Sequence, residues 1–100
     1  MKVRMTKPAQ RRLNQIHDYY KDNGNKRHGA KLRRAIVKQS KLLSNNPEMG
    51  QEEPHLKGLG QGHRYILVER IYKMIYLIAK PFIFITDIFD TRQDPDKMKG

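Results

Sequence analysis

Apolar residues recur along this 100-residue chain with two different periods, and the change of period divides it. Ala9, Leu13, Ile16 and Tyr20 follow at spacings of four, three and four, which marks one apolar helical face. Thr6 offers a hydroxyl cap before that run. Pro8 suits the first turn of a helix, where its missing N–H is not needed. The glycine-bearing KDNGN at 21–25 stops the run. A second helix is predicted over 26–44, with Leu32, Ala35, Ile36, Gln39, Leu42 and Leu43 sharing one side. SNNPEMG ends it, because Pro47 cannot continue a helix and Gly50 gives a turn. The short link between the two predicts an antiparallel helical hairpin.

Elsewhere the period is that of strands. Residues 1–5 alternate, with Val3 between Lys2 and Arg4, and read as a brief strand. Residues 51–63, QEEPHLKGLGQGH, have no periodicity and read as a loop. Residues 64–69, 72–78 and 82–88 are dense in Ile, Val, Tyr and Phe, with turns near Arg70 and at 79–81. Connections that short require antiparallel hairpins. The expected fold is therefore α+β in a single domain, 1–100. A short N-terminal strand and an antiparallel helical hairpin precede a three-stranded antiparallel meander that completes one sheet. The helices cover one face of that largely antiparallel sheet.

Charge adds a second division. The net charge is +11, yet residues 1–46 hold 13 basic and two acidic side chains while residues 47–100 hold eight of each. All the excess lies in the first half, which points to a polyanionic partner such as nucleic acid, ribosome, acidic membrane or acidic protein. Arg27, Lys31, Arg34, Lys38 and Lys41 line up on one face of the second helix. Two readings of that stripe stand: a surface for a partner's phosphates or carboxylates, and a solvated face. The chain has no cysteine, so disulfides and thiolate metal sites are excluded. No segment approaches the ~18 apolar residues of a membrane span, and the start lacks a signal-peptide stretch. A soluble cytoplasmic protein is expected.

Candidate chemistry is thin. The four histidines, His17, His28, His55 and His63, lack metal-ligand spacing, so no metal or other cofactor is expected. KGLGQGHR at 57–64 lacks the preceding strand and following helix of a phosphate loop and reads as a connection delivering Arg64 to its strand. Metal-free RNA cleavage needs a base, an acid and cations. The sheet region offers Lys57, Arg64, Arg70, Lys73 and Arg92 as cations. His63, Glu69 and the glutamates near position 50 are the proton-transfer candidates. Spacing alone does not assemble them. Arg92, between Asp90 and Asp94, reads equally as a solvated strand end.

Several pieces in order carry a resemblance: a strand running into TKPAQRRLNQIHDYY, a hairpin ending in LLSNNPEMG, GHRYILVERIYKMIYLI, and a last strand running into DIFDTRQDP. The chain resembles toxins of the RelE/ParE superfamily of type II toxin–antitoxin systems, on the ParE-like, plasmid-stabilisation side. Pro47 with Gly50, Arg64-Tyr65, and Arg92 with Asp94-Pro95 are the most specific matches. The resemblance implies a small, basic, growth-inhibiting cytoplasmic toxin, neutralised by direct binding of an acidic cognate antitoxin whose C-terminal segment wraps it. RelE-like members cut mRNA on the ribosome, and Arg64 matches their arginine at the start of the second strand. Their C-terminal Tyr or His has no match, since Phe89, Asp90 and Thr91 stand there. That gap implies the ParE-like branch, which poisons DNA gyrase. The ribosome-dependent endoribonuclease is the alternative, and a non-toxic basic binding module the further one.

Overall fold

In the computed structural model, which describes residues 1–100, the chain forms β1 (Lys2–Met5), α1 (Lys7–Asp22), α2 (Lys26–Asn45), β2 (Gln51–Glu52), β3 (Arg64–Val68), β4 (Tyr72–Ala79) and β5 (Phe82–Asp90). Short 3-10 helices occupy Pro54–Leu59 and Pro95–Lys97. Thr6 caps α1 as its sequence predicts, its Oγ1 accepting from the Ala9 amide at 3.2 Å. Gly24, at φ 71°, turns the chain into α2.

The single sheet has the order β1-β5-β4-β3-β2. The meander is antiparallel throughout, but β1 runs parallel to β5, with Lys2 opposite Phe82. The sheet is thus mixed, with one parallel pair. Alternation in 1–5 carries no strand direction. The helices and meander supply the long crossover that a parallel pair needs. A second difference lies in 51–63, expected to be a loop, which holds β2 and a 3-10 helix. Elements of two and six residues are too short to show a period.

The main core lies between the helices and the inner face of the sheet. Ala9, Leu13, Leu32, Ile36 and Leu43 meet Met74, Tyr76, Ile83, Ile85 and Ile88 there. Leu42, expected on the same side, is 45% exposed, because it points about 100° away from Leu43 around the helix. The outer face is covered in part as well. Leu56 from the 3-10 segment and Met98 from the C-terminal tail join Ile75 and Phe89 in a second cluster. A bulge separates the two halves of the β4–β5 ladder: Ile75 faces Asp87 while Tyr76 faces Ile85. Thr86 is the extra residue of that bulge.

Candidate functional site

The four proton-transfer and phosphate candidates do not converge. Arg64 opens β3, and its guanidinium is taken up by backbone carbonyls, donating to Gly50 O at 2.8 Å and Glu48 O at 3.4 Å. It holds the α2–β2 connection in place. Glu69 sits just beyond the other end of β3, about 17 Å along the strand, and pairs with Lys31 at 3.6 Å. Arg92 lies at that same far end, where Thr91 N donates to Ile71 O. It forks onto Asp90 with bonds of 3.0 and 2.8 Å, and those bonds hold the Asp90 carboxyl below its usual range. Asp94, its other flanking carboxylate, instead caps the 3-10 turn by accepting from Asp96 N.

His63 is 1% exposed, and neither ring nitrogen has a hydrogen-bond partner. Gly100 lies close against it, and burial pushes its pKa down. It is a packed neutral imidazole. Of the glutamates near position 50, Glu53 is fully buried and accepts from Lys73 Nζ at 2.6 Å and from the His55 amide at 3.2 Å. Lys73 Nζ also lies 4.3 Å from the centre of the Tyr65 ring. Among the other cations proposed for RNA chemistry, Lys57 and Arg70 are exposed and lie on separate connections.

Two pairings were not legible in the sequence. Asp87, fully buried beside the bulge, accepts from Arg12 Nε at 3.0 Å and from Lys99 N at 2.9 Å. Arg12 also donates to Lys97 O, so α1, β5 and the tail are tied at one carboxylate. Tyr76 OH donates to Pro47 O at 2.8 Å and accepts from Gly50 N at 2.9 Å. The motif residues Pro47, Gly50 and Arg64 are therefore one staple that closes the end of α2 onto β3 and β4.

Two open surfaces lie on the N-terminal half. Arg27, Lys31, Arg34, Lys38 and Lys41 are all exposed on α2, and only Lys31 has a carboxylate partner. Next to them, between β1, α1 and α2, runs a groove of about 810 Å³. Its apolar residues are Met1, Val3, Met5, Leu13, Ile36 and Val37, and Lys2, Arg4, Arg33 and Lys41 also line it. Val37 is 50% exposed, and β1 is a sheet edge with one side unpaired. A smaller cavity of about 460 Å³ lies between α1 and the end of β5, beside the Tyr20–Tyr72 hydroxyl pair at 2.8 Å.

The model of the family described as the ParE toxin of type II toxin–antitoxin system, parDE, matches residues 3–95. Among solved structures, a chain of the chromosomal ParDE toxin–antitoxin system from P. aeruginosa superposes with a TM-score of 0.69 at 25% identity. That match covers 90% of this chain and 95% of that one. No curated protein matches the chain.

Proposed function

Because the chain belongs to the ParE toxin family of type II toxin–antitoxin systems, we propose that it arrests growth by binding a protein target and not by cutting RNA. DNA gyrase is the target that the ParE-like branch implies. The observation that carries this reading is the scatter of the nuclease candidates. Arg64 is spent on backbone carbonyls, His63 is buried, and Glu69 and Arg92 lie at the opposite end of the sheet. A cleavage site needs acid, base and cation within hydrogen-bond reach of one phosphate.

The cognate antitoxin is expected to hold the toxin from the groove beside β1. An edge strand offers unpaired backbone groups for an added strand, and the apolar residues of the groove offer anchors. Lys2, Arg4, Arg33 and Lys41 match an acidic segment and would speed its arrival. No helix is long and apolar enough to cross a membrane, and the cytoplasm is the proposed site of action. Inducible expression without antitoxin tests the mode of action. Growth arrest with a DNA-damage response and intact messages is the expected result, and codon-linked mRNA cuts would overturn it.

A further inference from the structure

The cationic ridge of α2 meets the groove only at Lys41, and its other four residues, Arg27, Lys31, Arg34 and Lys38, have no role in the reading above. It spans about 21 Å from Arg27 to Lys41, on an arc opposite the buried Leu32, Ile36 and Leu43. The whole helix carries seven Lys and Arg and no carboxylate. This arrangement opposes the helix twice. Like charges at i, i+4 repel, and Lys26 and Arg27 crowd the positive end of the dipole, where no acidic residue sits in the first turn. Compensation from the rest of the molecule is slight. Glu69 meets only Lys31, while Glu53 and Asp87 are buried in pairs of their own.

We propose that this ridge binds the phosphate backbone of duplex DNA without reading its sequence. The arc itself holds no aromatic side chain for stacking the bases of a single strand. It also lacks the central apolar anchor of a protein interface, since the exposed Val37 and Leu42 flank it. What it offers is a row of charges at intervals of about 4.5–6 Å along the axis, suited to a polyanion whose charges are closely and regularly spaced. The proposal does not depend on how the toxin acts, because the test reads DNA binding directly.

The test is anisotropy of a labelled 20-base-pair duplex of arbitrary sequence with the purified full chain between 50 and 200 mM NaCl. Five phosphate contacts give a log–log slope of about −4.5, so affinity falls about 500-fold over that range. A variant with Arg27, Lys31, Arg34, Lys38 and Lys41 all changed to Gln is expected to lose at least tenfold in affinity and most of the slope. It should melt no lower than the parent, since repulsion has been removed. Lys38→Gln alone should lower the slope by about one. A charge-matched control, with Lys7, Arg11, Lys57, Lys80 and Lys97 changed to Gln, should keep the affinity. Equal losses in the two five-site variants would mean net charge alone and overturn the proposal. Unchanged DNA affinity in the ridge variant would overturn it too, and accompanying loss of binding to an acidic peptide would assign the ridge to a protein.

Discussion

His63 shows how a residue's neighbours can reverse its apparent role. As part of the HR pair before β3 it looks like an acid or base, but its ring is buried with both nitrogens unpartnered. Burial lowers its pKa, so in the folded chain it stays neutral where the unfolded chain, with an ordinary value near ~6.5, takes up a proton. The unfolded state then binds more protons below that value, and stability falls as pH drops through it. Above it neither state is protonated and the cost vanishes. The urea midpoint should therefore decline between about pH 7.5 and 5.5, and His63→Leu should flatten part of that decline. An identical slope in the variant would exclude His63 as its source. None of this was readable from the sequence, because the residues beside His63 include Gly100, far along the chain.

The connection from α2 to β3 shows what can be read at the scale of elements. That a helix ends at Pro47 and a turn follows at Gly50 is plain from residue type. Why Gly50 must be glycine is not, since the reason comes from β3 and β4. A Cβ there would lie 2.6 Å from Tyr76 Oη and 2.7 Å from Tyr65 O. The tyrosine cannot swing away without losing both its bonds, to Pro47 O and Gly50 N. Gly50→Ala should therefore destabilise by about 2 kcal/mol, as overpacked sites do, lowering Tm by about 8–16 °C for a domain of this size. Calorimetry checks it, and an unshifted Tm would mean that the staple yields. The helices and the three long strands were legible because each carries several turns or pleats of one period. The two-residue β2 and the bulge at Thr86 have no period to read. The buried pairs Arg12–Asp87 and Lys73–Glu53 join positions that only the completed sheet brings together.

For the whole molecule, the two halves of the sequence serve different ends. The C-terminal half, electrically balanced, builds four of the five strands and buries two of its eight carboxylates, Glu53 and Asp87, in ion pairs. The N-terminal half supplies both open surfaces, the groove and the ridge. They share Lys41 but not Val37, which makes the groove testable alone. Val37→Glu places a carboxylate at the groove's exposed apolar rim and should weaken antitoxin binding by at least tenfold, about 1.4 kcal/mol. Growth arrest on expression alone should persist, which isothermal titration and plate counts would check together. Undiminished affinity would place the antitoxin elsewhere.

The parallel pairing of β1 with β5 has a consequence in time. The two strands lie about 80 residues apart in the chain, and the first wall of the groove settles only when the last strand exists to receive it. At ~5–20 residues per second, the ribosome makes the last strand roughly 4–16 s after the first. Until then β1 lacks its strand partner, and only α2 holds that wall of the groove. A partner that adds a strand to this edge would find β1 fixed in the sheet only after β5 has been made.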